Sequence, residues 1–328
     1  MARRPRLGKK LFKSLLPILL LIVVALGGIF GWIVYDISQP HRQGYLVTPQ
    51  AFAQISGPGV KATDETWRNR DGTLARGWLL RGAEGAPAVV LLHRYGTDRS
   101  WLFNLGVKLN ETTNFTILWP DLRGHGLTPP VKTTSFGVRE SDDVLSALDY
   151  LKQLKSAKGQ LLVGDQYGAY GIELGAYAAM KAAKQDPRIR VLVLDSVPRS
   201  PDELVNAAVK DETGIANALF QYLAHLATRV YFMGRYDNTS SCALASSLTN
   251  HRVLLLSGAD AGYLRESTTA LAKCFPNAGN VEIKTDLPLT GFSLPSATGE
   301  QGEGFDRRVI QFFDRSLREK TEVPPTAP

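Results

Sequence analysis

Residues 161–171 read Leu161-Leu162-Val163-Gly164-Asp165-Gln166-Tyr167-Gly168-Ala169-Tyr170-Gly171. An apolar triplet, a polar turn bounded by glycines and an Ala- and Leu-containing amphipathic stretch predict a buried strand over Leu161–Val163, a sharp turn centred on Gln166 and a helix over Gly168–Lys184. Small residues beside such a turn let the backbone reverse in little space, because glycine has no Cβ to collide with the neighbouring elements.

The alternation continues on both sides of this stretch. Continuous apolar runs at Ala88–Leu92, Phe115–Trp119, Val191–Leu194 and Val253–Leu256 predict parallel strands buried on both faces, with helices over Val138–Leu154 and Ala261–Cys274. Lys61–Arg68 and Leu74–Arg81, joined by Asn69-Arg70-Asp71-Gly72, predict an opening hairpin. The implied class is α/β, a doubly wound and mostly parallel sheet. Over 198–250 the alternation stops, and a helical insertion that includes Leu219–Tyr231 is expected to cap a pocket. A last helix over Phe305–Leu317 carries Val309, Ile310, Phe312 and Phe313 at core-facing spacing.

Ahead of this domain, Leu15–Tyr35 contains no charged residue and has the roughly 20-residue length a helix needs to cross a bilayer. The expected organisation is a basic segment over 1–14, a transmembrane helix over 15–35, a stalk over 36–59, the globular domain over 60–320 and a tail over 321–328. Arg3, Arg4, Arg6, Lys9, Lys10 and Lys13 precede the apolar run, so the positive-inside rule predicts a cytoplasmic N-terminus and an exported domain. Those six residues carry most of the net charge of +7, which leaves the domain nearly neutral and without the basic, aromatic-interleaved patch that nucleic acid requires. Cys242 and Cys274 are the only cysteines, and the sequence leaves open whether they pair. Two cysteines and five histidines form no metal-ligand spacing, and no cofactor is expected.

Four landmarks in order, VVLLHRYG at 89–96, WPDLRGHG at 119–126, LLVGDQYGAYG at 161–171 and VLLLSGAD at 253–260, resemble the α/β-hydrolase superfamily, particularly its bacterial membrane-anchored esterase-like and serine-aminopeptidase-like members, over about residues 60–320. That resemblance implies a nucleophile in a G-x-S-x-G turn between strand and helix, an acid after a later strand and a histidine base after the last. Aligned on Gly164-Asp165-Gln166-Tyr167-Gly168, it places Gln166 at the nucleophile position and Asp260 at the acid position. It implies oxyanion donors at Tyr95 and Tyr167. Arg94, where the family usually has glycine, is expected either to fill the oxyanion site or to bind an anion. His93 and His125 are expected to shape their loops.

An amide has no hydroxyl or thiol for a base to activate, and the final loop, Leu287–Ser293, contains no histidine. The expected function is therefore a membrane-anchored, extracytoplasmic hydrolase-fold protein that lacks Ser-His-Asp catalysis. Its partner would be an envelope protein or a small acyl or carboxylate ligand held by Arg94, Tyr95, Gln166 and Tyr167. The alternative is an active ester or amide hydrolase that works through other groups, such as Ser196, Ser293 or a water held by Asp260.

Overall fold

The computed structural model describes residues 7–41, 44–56, 61–293 and 299–318. Arg3, Arg4 and Arg6, residues Gly57, Pro58 and Gly59 of the expected stalk and the tail over 321–328 lie outside the described residues. The chain forms two compact units, one of residues 1–38 with 205–236 and one of residues 39–204 with 237–328.

The larger unit is built on an eight-stranded sheet. Its strands are β1 (Thr63–Arg68), β2 (Leu74–Leu80), β3 (Ala86–Leu92), β4 (Thr116–Pro120), β5 (Val163–Ile172), β6 (Ile189–Asp195), β7 (Arg252–Gly258) and β8 (Val281–Leu287). They lie in the order β1-β2-β4-β3-β5-β6-β7-β8. β2 is antiparallel to β1 and β4, and every later pairing is parallel. The helices in chain order are α1 (Leu7–Ile37), α2 (Pro49–Ser56), α3 (Phe103–Thr113), α4 (Glu140–Gln153), α5 (Leu174–Gln185), α6 (Pro201–Thr213), α7 (Ala218–Tyr231), α8 (Ser241–Ala245), α9 (Leu264–Leu271) and α10 (Glu300–Arg318).

The apolar runs fall where parallel strands must be covered on both faces, and Val89–Leu92, Leu192–Leu194 and Leu254–Leu256 are fully buried. Phe103 and Leu109 of α3 and Val309, Phe312 and Phe313 of α10 join Val89, Leu91, Val191, Val193 and Leu254 in one core. The opening hairpin forms as expected, with Trp67 opposite Ala75 and Arg68 opposite Leu74.

Two local expectations are corrected. Residues 167–172 are strand, not helix: Tyr167–Ile172 pair with Ile189–Asp195 of β6, and on the other side 167–171 pair with β3, so α5 begins at Leu174. Pairing on both edges outweighs the helical look of this Ala- and Tyr-containing stretch, because β propensity mostly measures the fit to strand neighbours. Of the stretch expected to be a stalk, residues 45–52 pack against the larger unit's own strands and helices. Tyr45 meets Trp78 edge-on at 5.2 Å, Phe52 meets Phe103 at 5.3 Å, and the Leu46 N–H donates to Ser100 Oγ at 2.9 Å.

The insertion over 198–250 contains α6, α7 and α8, as its composition implies. Cys242 of α8 is disulfide-bonded to Cys274, with Cα atoms 5.2 Å apart, which closes the pairing that spacing left open. In the smaller unit α1 packs along α7. Phe30, Ile33, Val34 and Ile37 are buried, and the Phe30 and Phe220 ring centroids are 4.8 Å apart. Ser14–Ile37 of α1 is 24 residues long and apolar enough to cross a membrane.

Candidate functional site

The sharp turn between β5 and α5 is centred on Glu173, whose backbone sits at φ 50°, ψ −103°. Such a conformation costs on the order of 1–3 kcal/mol for a residue with a side chain and persists only where neighbours enforce it. Here the Glu173 N–H donates to the Asp195 carbonyl at 2.9 Å, and the Glu173 carbonyl accepts from the Tyr177 N–H at 3.0 Å. The flanking glycines are Gly171 and Gly175. A Cβ on Gly171 would lie 2.3 Å from the Gly175 carbonyl carbon, and one on Gly175 would lie 2.4 Å from the Leu92 carbonyl oxygen. The turn therefore has the form Gly171-Ile172-Glu173-Leu174-Gly175, the same five-residue spacing as 164–168 but seven residues later.

Gln166, expected at this turn, lies inside β5, roughly 20 Å back along the strand at about 3.3 Å per residue. Tyr167 is equally remote. Its ring is buried, with the Arg188 guanidinium 5.7 Å from the ring centroid. Gln166 and Tyr167 thus leave the site, and Glu173 and Leu174 take the positions assigned to them. Tyr95 stays: its backbone N–H donates to Glu173 Oε2 at 3.0 Å, while its ring stacks on Phe136. The Glu173 side chain is buried within this turn.

The neighbouring strand ends complete the arrangement. Asp260, just after β7, accepts from both the N–H and the hydroxyl of Thr290 through Oδ2, at 3.0 and 2.9 Å. Thr290 lies in the loop after β8, fully buried. The next residue, Gly291, donates its N–H to Asp195 Oδ2 at 2.8 Å, and Asp195 also accepts from Tyr170 Oη at 3.1 Å and Ser196 Oγ at 2.8 Å. Burial pushes the Asp195 carboxyl up to about 7 against the opposing pull of these three donors. The Gly291 carbonyl accepts from Trp101 Nε1 at 2.8 Å. Arg94, expected at the oxyanion site, packs its guanidinium between the rings of Trp101 and Phe292, 4.9 and 4.5 Å from their centroids. Ser196, one of the groups through which an alternative hydrolase would work, is fully buried and donates its hydroxyl to Asp195. Ser293 sits in the turn after β8, its N–H donating to the Thr290 carbonyl at 3.1 Å.

His93 and His125 hold loops. His93 Nε2 accepts the Leu122 N–H at 3.1 Å, so Nδ1 carries the proton donated to the Arg94 carbonyl at 2.8 Å. Burial pushes both imidazoles down to about 4, which makes them neutral near pH 7. Arg123 is buried against Asp143 and reaches Asp71, pinning the loop to α4. Among the described residues, no group of three His, Cys, Asp or Glu side chains is placed to hold a metal ion.

The residues converge at the carboxyl ends of parallel strands, where open α/β sheets place their sites. The chain is similar to the Pyrococcus furiosus esterase Pf2001, with a TM-score of 0.63 and 20% identity over 85% of this chain and 99% of the esterase. It is also similar to the α/β hydrolase GrgF from Penicillium sp., with a TM-score of 0.58 and 14% identity over 79% of this chain and 99% of that one. The third likeness is to the Pyrococcus horikoshii acylaminoacyl peptidase, with a TM-score of 0.57 and 13% identity over 84% of this chain and 45% of the peptidase.

The fold is that of the α/β-hydrolases.

No protein-family model matches the chain, and no curated protein does. At these identities the likeness speaks for the fold, and the chemistry has to be read from the residues. The residue at the turn after the fifth strand is Glu173, which has no hydroxyl or thiol. In the loop after the last strand Thr290 donates both its N–H and its hydroxyl to Asp260. The donor from the loop after the third strand, the Tyr95 N–H, is occupied by the elbow carboxylate itself.

The sequence reading missed Glu173, Leu174, Thr290 and Asp195. A signal for Glu173 was present: Gly171-Ile172-Glu173-Leu174-Gly175 repeats the G-x-X-x-G spacing and leads directly into Ala176-Tyr177-Ala178-Ala179, a run rich in good helix formers. No comparable signal marks Asp195, which meets Gly291 across 96 positions of chain.

Proposed function

We propose that this is a membrane-anchored, extracytoplasmic α/β-hydrolase-fold protein that does not form an acyl-enzyme and acts by binding. The observation that carries the reading is the Glu173 carboxylate at the elbow, accepting the Tyr95 N–H at 3.0 Å. The Glu173 side chain there withdraws the donor that would stabilise a tetrahedral oxyanion. It is also a poor substitute nucleophile. Its attack on an ester carbonyl would have to form a mixed anhydride and expel an alkoxide, and no imidazole is placed to protonate that leaving group: Asp260 is engaged by Thr290 and the residues from Leu287 to Ser293 include no histidine.

The same hydrogen bond argues against the acyl or carboxylate ligand expected from sequence, which would find the Tyr95 N–H already taken. An envelope protein, which needs no open donor at the elbow, fits this arrangement better. Two features support the extracytoplasmic side: the six basic residues ahead of Leu15, and the Cys242–Cys274 disulfide, a bond that persists in oxidising compartments.

The test uses the full chain in detergent. It should give no turnover of short p-nitrophenyl esters and no fluorophosphonate adduct by mass spectrometry, while the affinity-tagged chain retains an envelope protein in membrane pulldowns. One labelled serine, or turnover abolished by a pocket substitution, would refute the binding reading.

A further inference from the structure

α7 is apolar around most of its circumference. One face, with Phe220 and Ala224, packs along α1, whereas Leu219, Tyr222, Leu226 and Val230 recur at helical spacing on another face and are between 49% and 70% exposed. Met233, just beyond the helix, continues the stripe at 85% exposure, and Ile215 precedes it in the turn from α6. The only charged residue in Ala218–Tyr231 is Arg229. A helix with apolar residues on both its packed and its outer face needs a second apolar environment, and water does not supply one.

The packing within this unit says which environment that is. Phe220, near the start of α7, lies against Phe30, and Tyr231, at its end, has its hydroxyl 3.4 Å from Ser38 Oγ. The two helices therefore run side by side in the same direction, with the start of α7 level with the outer end of the apolar stretch of α1. Exposed Trp32 and Tyr35 lie at that level, the residue types that favour the membrane–water boundary. Asp211 and Glu212, exposed at the end of α6, limit how deep the connection can sit. The depth that satisfies both the apolar stripe and these acids is the boundary between headgroups and acyl chains.

We propose that the α6–α7 hairpin is a second membrane contact, with Leu219, Tyr222 and Leu226 seated in the outer headgroup–acyl boundary beside α1. The inference rests on the reading of α1 as a spanning helix. The hairpin and α1 together form a two-point attachment, which restricts rotation of the unit about a single helix axis.

The test places the photoreactive residue p-benzoylphenylalanine in the full chain, reconstituted in vesicles of phosphatidylcholine and phosphatidylglycerol that carry an alkyne-tagged lipid. Separate variants substitute Tyr222, Leu226, Leu20 in the apolar part of α1, and exposed Thr269 of α9. Lipid adducts at 222, 226 and 20, with none at 269, are expected. Adducts at Leu20 with none at 222 and 226 would overturn the second contact while leaving the anchor intact. Crosslinks from 222 and 226 to a second copy of the chain would overturn it in favour of self-association. Absence of adducts at Leu20 as well would overturn the anchor and this inference together.

Discussion

The backbone N–H of Tyr95 donates to Oε2 of Glu173 across 3.0 Å, joining the loop after β3 to the turn after β5 through the side chain of the turn residue itself. In a catalytic arrangement that donor faces the substrate oxygen. Here an internal carboxylate holds it.

If Glu173 and Thr290 are what stand in place of a nucleophile and a base, restoring both should restore chemistry. Glu173→Ser alone supplies a hydroxyl without a base and should remain inactive toward p-nitrophenyl esters. Glu173→Ser combined with Thr290→His returns an imidazole to Asp260, and its ester turnover should exceed that of the single variant by about 10²- to 10⁴-fold, the usual contribution of a positioned base. Melting temperatures measured alongside identify a double variant that has failed to fold.

The pH dependence of stability should carry the mark of Asp195. Burial raises its folded-state value from 3.8 to about 7, so between these values the folded chain holds a proton that the unfolded chain has released. Stability from this group therefore falls as pH rises from about 4 to about 7 and levels off above, by up to roughly 4 kcal/mol at about 1.4 kcal/mol per unit. In Asp195→Asn that slope should vanish, because the amide keeps an acceptor for Gly291 without a titrating proton. Urea unfolding of wild type and variant at pH 4.5, 6 and 7.5 measures the difference.

Reduction of the disulfide should destabilise the domain measurably. Cys242 and Cys274 close a loop with a sequence separation of 32, for which chain entropy gives about 3–4 kcal/mol. The paired variant Cys242→Ser/Cys274→Ser should lower the denaturant midpoint to match wild type under reductant. A midpoint insensitive to reductant would show that the bond contributes nothing to stability.

Arg123 and Asp143 form a pair in which each side chain is under 5% exposed. Arg123→Ala leaves the Asp143 carboxylate buried with only Asn69 and the Arg123 N–H as donors, a loss of about 3–5 kcal/mol. Arg123→Ala/Asp143→Ala should be less destabilised than Arg123→Ala, because the unpaired charge is gone. Comparing the two midpoints checks this.

Much of the fold was legible because it depends on patterns local in the chain. Val89–Leu92, Val191–Leu194 and Val253–Leu256 are continuous apolar runs too short for independent helices, and burial on both faces of a parallel sheet is the state that suits them. Asn69–Gly72 marked the hairpin, and Leu15–Tyr35 marked the apolar helix. The packing of 44–56 was not legible, since Tyr45 and Phe52 follow no period and each finds its own partner.

The site divides along the same line. The sequence by itself determined that no histidine follows residue 251 and that the final loop cannot supply an imidazole. It determined the helical insertion and the glycine spacing of an elbow, but between Leu161 and Gly175 that spacing occurs twice, at 164–168 and at 171–175. Only the tertiary structure decided between them. β5 extends to Ile172 because its residues pair with β3 on one side and β6 on the other, and the close approach of Gly171 to Gly175 and of Gly175 to Leu92 leaves no room for a side chain at the second site. Strand length and elbow position are set by partners distant in sequence, whose hydrogen bonds and steric contacts exist only once the sheet has assembled.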